Sequence, residues 1–125
     1  MPTSIRIEPE TGVAVIACTG VLGQQEAEEG AASLWATPSW PGRSAVWDFR
    51  TAEFDLTGSE IQSLAKYILQ KQPMPPPKKV AFVTPRDADF GMARMFEVFR
   101  EDAATGFRVF RSWGDALAWA RSTDP

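Results

Sequence analysis

The run Lys79-Val80-Ala81-Phe82-Val83-Thr84 is a short, mostly apolar strand pattern that passes through Pro85-Arg86-Asp87 into a helical period at Met92, Met95, Phe96 and Phe99. A strand that feeds a helix this directly is half of a crossover unit, and crossovers build parallel sheets with helices on their faces. The same pattern recurs along the chain. Ser4-Ile5-Arg6-Ile7-Glu8 alternates with period two, Glu10-Thr11-Gly12 supplies a turn, and Val13 to Thr19 forms the second arm of a hairpin. Ala27, Ala31, Leu34 and Trp35 then stripe a helix from Gln24 to Ala36, headed by Glu26, Glu28 and Glu29. Thr37-Pro38-Ser39-Trp40-Pro41-Gly42 ends it, because the residue before a proline is driven out of helix, and a third strand follows at Ala45 to Phe49. A second helix opens at Thr57-Gly58-Ser59-Glu60 and turns Ile61, Leu64, Ala65, Ile68 and Leu69 inward. Pro73 to Pro77 cannot be helix interior and reads as an extended connector.

The third helix runs from about Ala88 to Asp102 and is expected to bury Met92, Met95, Phe96 and Phe99. Phe107 to Arg111 makes a fifth strand, and Trp113, Ala116, Leu117 and Ala120 stripe a last helix. The order β-β-α-β-α-β-α-β-α defines an α/β fold: a mixed, mostly parallel five-stranded sheet with four helices, its first strand an antiparallel edge. A chain of 125 residues is the size of one domain, expected to span 1–121 with a short tail at 122–125.

Composition narrows the function classes. A net charge of −3 without a basic cluster argues against nucleic-acid binding, which needs Lys and Arg gathered on one face. The absence of histidine removes the usual general base near neutral pH and the commonest metal ligand, and with them Ser-His-Asp, Cys-His and histidine-zinc chemistry. Cys18 sits in an apolar run and reads as a small buried hydrophobe. With no secretory leader and no run long and apolar enough to span a bilayer, a cytoplasmic protein is expected.

Open α/β sheets bind ligands outside the carboxyl ends of their strands, so the turns there carry the candidate residues. Thr57 and Glu60 fit a capping box, Ser112 and Asp115 a looser one, and Asp87 is placed to cap the third helix. Asp48, Asp55, Asp87 and Asp89 are the carboxylates that this edge gathers, but no nucleophile elbow, phosphate loop or dinucleotide fingerprint accompanies them, so no enzyme and no cofactor are expected. Phe90 and Val98 are apolar yet flank the expected buried arc of the third helix, and Trp40 lies in a Pro-rich loop where exposed tryptophans make binding hot spots. With Arg86, Asp87 and Asp89 they form a candidate interaction surface. Met92, Met95, Phe96 and Phe99 are the candidate lining of an apolar ligand site, because flexible Met side chains adapt to varied apolar partners.

Val46-Trp47-Asp48-Phe49-Arg50, Asp55-Leu56-Thr57-Gly58, Phe90-Gly91-Met92-Ala93-Arg94-Met95-Phe96 and Arg108-Val109-Phe110-Arg111-Ser112-Trp113-Gly114-Asp115-Ala116-Leu117-Ala118-Trp119 resemble the small, mostly uncharacterised bacterial members of the STAS-like, or SpoIIAA-like, superfamily. The resemblance implies the sheet-and-helix fold derived above, a role in protein-protein regulation and, in related folds, the holding of lipids. In the anti-sigma antagonist branch it also implies a phosphorylated serine in an Asp-Ser-Ser-Gly motif. Leu56 stands at that acceptor position here, which leaves Asp55, Thr57 and Ser59 as a candidate switch region. The expected function is therefore a non-enzymatic module that binds another protein or a second copy of itself. A carrier of a small apolar molecule or lipid is the alternative, and a phospho-regulated antagonist comes third.

Overall fold

The computed structural model describes residues 3–100 and 105–122. Its elements follow the order β1 (Thr3–Ile7), β2 (Ala14–Leu22), α1 (Gln24–Trp35), β3 (Ala45–Phe54), α2 (Gly58–Lys71), β4 (Lys79–Val83), α3 (Asp87–Phe99), β5 (Gly106–Phe110) and α4 (Trp113–Arg121). The strands lie side by side in chain order, β1-β2-β3-β4-β5. β1 pairs antiparallel with β2, Ile5 opposite Ile16, through a turn in which Gly12 takes φ +72° and donates its N–H to the Glu8 carbonyl at 2.9 Å. All later pairs are parallel. Because right-handed crossovers advance in one direction across the sheet, α1, α2 and α3 share one face, and α4 returns to the other.

The two faces are packed by different chemistry. Under α1 to α3, Ile16, Leu34, Trp40 and Phe49 join Ile61, Leu64, Ala65 and Phe96. Phe82 is the aromatic hub between them, its ring centroid 5.0 Å from Phe49, 5.3 Å from Phe96 and 4.8 Å from Phe107. On the opposite face Val13, Val15, Val46, Ala81 and Val83 meet Ala116 and Ala120, small residues that let α4 lie close to the strands. Lys79 reaches across beneath α4, where its Nζ donates to the carbonyls of Trp119 at 3.0 Å and Ser122 at 2.9 Å, satisfying the negative end of that helix.

Four expectations need correction. β2 and β3 run on to Leu22 and Phe54 rather than ending at Thr19 and Phe49, pairing Thr19 with Thr51 through Leu22 with Phe54. Leu22 and Ala52 are buried and Phe54 packs against the core, while Thr19, Val21, Thr51 and Glu53 face out, so a genuine period of two was masked by small and charged residues. Trp40 is buried in the core, 3% exposed, because the Pro-rich loop folds it back beside Leu34 and Phe49, and it is removed from the interaction surface. The third helix ends at Phe99 with Arg100 as its C-cap, and the expected end at Asp102 falls outside the described residues. Its inward side is Asp89, Ala93 and Phe96, so Met95 and Phe99 are exposed, Met92 is half-buried, and the Met-Phe stripe is not the buried face.

Candidate functional site

The carboxyl edge of the sheet gathers most of the candidate residues, and Arg86, Asp87, Asp89 and Phe90 each have a structural partner there. Asp89 is 2% exposed; its Oδ1 accepts the Phe54 N–H at 3.1 Å, tying the first turn of α3 to the end of β3. Arg86 stands over it, with Nε 3.7 Å from Asp89 Oδ2 and Nη1 2.5 Å from Glu53 Oε1. Asp87 is not a cap. The N-cap residue is Arg86, whose side chain makes no capping bond, and Asp87 instead accepts from Arg111 Nη1 at 2.6 Å. The same guanidinium lies over the Phe90 ring, 4.2 Å from its centroid, which leaves Phe90 half-buried rather than free. Burial likewise takes Asp89 off the candidate interaction surface.

The candidate switch region lies on this edge as well. Thr57 and Glu60 form the expected capping box: Thr57 Oγ1 accepts the Glu60 N–H at 3.1 Å and Glu60 Oε1 accepts the Thr57 N–H at 2.9 Å. Asp55, Thr57 and Ser59 are exposed, whereas Leu56 packs against the cluster around Ile61 and Leu64. Asp48, the fourth carboxylate, is held by its neighbour Arg50, whose Nε donates to Oδ1 at 2.9 Å and whose Nη2 donates to Oδ2 at 3.0 Å. Among the described residues no group of three or more Cys, Asp or Glu is placed to hold a metal ion.

Between the sheet and α1 to α3 lies an apolar cavity of about 80 Å³, lined by residues that include Cys18, Leu34, Leu64, Phe82, Met92 and Phe96. Of the proposed ligand lining, Met92 and Phe96 reach it, and Met95 and Phe99 do not. Cys18 adds no reactivity there, since burial pushes its thiol up to about 11 and keeps it protonated at neutral pH.

The outward side of α3 is different. Met95, Val98 and Phe99 are 42%, 64% and 37% exposed and follow one another at i, i+3 and i+4. Val98 is thus where the sequence suggested, whereas Met95 and Phe99 were assigned to the wrong side. The spacing of Asp89, Ala93 and Phe96 would have given the correct side, but it runs through a carboxylate and an alanine that hydrophobicity alone does not select. No helix among the described residues is long and apolar enough to cross a membrane.

No family model matches the sequence, and no curated protein matches it. Solved structures do. An uncharacterised protein of the DUF3478 family with a SpoIIAA-like fold, from Shewanella loihica PV-4, superposes with a TM-score of 0.60 at 19% identity, over 94% of this chain and 91% of that one. An anti-sigma factor antagonist from Mycobacterium paratuberculosis superposes with a TM-score of 0.51 at 16% identity, over 96% of this chain and 95% of that one. The chain has the SpoIIAA-like fold.

Proposed function

We propose that this SpoIIAA-like fold is a non-enzymatic, cytoplasmic interaction module that binds another protein through the outward side of α3. The observation that carries the reading is the exposed series Met95, Val98 and Phe99 on the outward side of a helix whose inward side is packed on the core. Covering such side chains yields about 1.5–3 kcal/mol each when burial is complete, and an exposed apolar group on an ordered helix is an ordinary mark of an interface. An anti-sigma factor antagonist of the same fold, by its name an antagonist of another protein, supports the kind of partner. Three of the four carboxylates at the sheet edge, Asp48, Asp87 and Asp89, are engaged by Arg50, Arg86, Arg111 and the Phe54 amide, which favours structural roles over acid-base work.

The carrier reading is weaker by size. Ligand pockets occupy roughly 300–1,000 Å³, and the cavity here offers about 80 Å³. A phosphorylation switch is not part of the proposal: Leu56 stands without a hydroxyl at the acceptor position and the Thr57 hydroxyl serves the helix cap, which leaves Ser59 as the exposed hydroxyl of the region.

Capture from a lysate of the source cells, wild type against Val98→Asp, tests the reading. A partner retained by the wild type and lost by the variant, with the thermal midpoint almost unchanged, is the expected result. Equal capture by both proteins would remove α3 from the account. A second copy of the chain as the captured species would make the module a homodimer.

A further inference from the structure

Asp89, Ala93 and Phe96 turn inward on α3, and the helical period places Gly91 and Val98 on the line opposite them, about 20° apart around the axis and about two turns apart along it. Val98 is 64% exposed and stands on that line as a knob. Gly91 is exposed too, and a Cβ built on it would meet nothing within 4 Å, so the same line carries a notch where a side chain is missing. Glycine weakens a helix interior, and no close approach within the molecule calls for it here. Arg94 and Met95 border the line on its two sides. Met95 leans onto α2, where its sulfur lies 3.7 Å from where a Gly58 Cβ would stand, which leaves the crest of the helix to Gly91 and Val98. On the other flank the Arg94 side chain is 62% exposed and its Nε holds Glu97 Oε1 at 3.0 Å.

A knob and a notch on one line are self-complementary under a two-fold axis. When two copies of α3 lie antiparallel with that axis passing between Arg94 and Met95, Val98 of each copy falls on Gly91 of the other. The same operation brings like flanks together, Met95 beside Met95 and the Arg94–Glu97 flank beside its own reversed copy. Side chains on a helix lean toward its N-terminus, so Arg94 of one copy and Glu97 of the other lean toward each other. Each arginine then stands between two glutamates, its own and that of the second copy. A parallel pair would set Val98 on Val98 and Gly91 on Gly91 and lose both fits. Glycine beneath a branched side chain also lets the two helix axes approach toward the short end of the usual 8–10 Å range.

Resting on the interaction reading above, we propose that the partner of α3 is a second copy of the chain, docked as an antiparallel two-fold pair in which Val98 of each copy seats on Gly91 of the other. An unrelated helix gains from the exposed apolar side chains alone. The knob, the notch and the paired charges are matched together by the chain's own α3.

Sedimentation of the full chain over a wide range of concentration tests this. The wild type is expected to pass from monomer to dimer. Gly91→Gln fills the notch and is expected to raise the dimer dissociation constant about tenfold or more. Its thermal midpoint, read in dilute solution where the chain is monomeric, is expected to rise, because a good helix former replaces glycine. Association and stability then move in opposite directions, which lost folding cannot produce. Val98→Asp is expected to stay monomeric. Arg94→Glu and Glu97→Arg, each with unchanged circular dichroism, should both weaken the dimer, and an equimolar mixture of the two should restore it, since the acidic flank of one then meets the basic flank of the other. A wild type that stays monomeric yet captures another protein through Val98 would overturn the second copy and leave the interaction reading standing. A dimer indifferent to both Gly91→Gln and Val98→Asp would place the contact elsewhere and overturn the proposal, and so would a mixture that fails to associate. A monomer without any Val98-dependent capture would sink both readings together.

Discussion

Glu8 and Arg121 come from distant parts of the chain, and the guanidinium grips the carboxylate through Nε at 3.0 Å and Nη2 at 2.5 Å. This bidentate pair fastens the β1–β2 turn to the end of α4 and lowers the Glu8 pKa from 4.5 to about 2. A carboxylate depressed in the folded state stabilises above its ordinary value, and that contribution fades as pH falls toward the folded value. The stability gap between wild type and Arg121→Gln, read from urea midpoints, is therefore expected to be full near neutrality, to narrow below 4.5 and to close at about 2. Asp89 makes a second residue-scale case. Asp89→Ala leaves the Phe54 N–H without its acceptor inside the protein, at a cost of about 1–3 kcal/mol in denaturant unfolding. Asp89→Asn retains an acceptor and is expected to cost less.

At the scale of elements, α3 shows how a helix can be legible as a helix and misleading as a surface. Its existence follows from the strand that precedes it and from its apolar content. Its rotation does not, because Met92, Met95 and Phe99 outrank Ala93 and Asp89 in hydrophobicity while the packing against the sheet is settled by shape. Phe96 alone among the large apolar residues of the helix is both expected and found in the core. Phe96→Ala is expected to cost about 3–5 kcal/mol in urea denaturation, since it removes a ring stacked on Phe82 and tilted against Phe107. Phe90→Asp, by contrast, should leave partner capture intact and lower the thermal midpoint slightly, through loss of the Arg111 contact. The start of α2 was the clearest local reading, for a Thr-x-x-Glu box states its own hydrogen bonds; Thr57→Ala should cost about 1 kcal/mol in the same unfolding experiment. The sequence ends β2 and β3 too early because Thr51, Ala52 and Glu53 do not look like a strand until Thr19 to Leu22 is laid beside them.

At the scale of the molecule, the alternation of strand and helix patterns fixed the class of fold, since few topologies satisfy parallel pairing and right-handed crossovers together. The working surface was less legible for a physical reason: exposure is a property of the assembled layers. Trp40 is hidden only because a loop returns to the core, and Met95 and Phe99 are presented only because α3 turns Asp89 and Ala93 inward. What the packed layers leave inside is small, and what they leave outside on α3 is apolar, as the proposed binding module requires. Native mass spectrometry of the protein purified without detergent separates a binding module from a carrier. The bare mass of the chain, alone or with a bound polypeptide, is the expected result. A retained one-to-one adduct with the mass of a small lipid or other apolar molecule would contradict it.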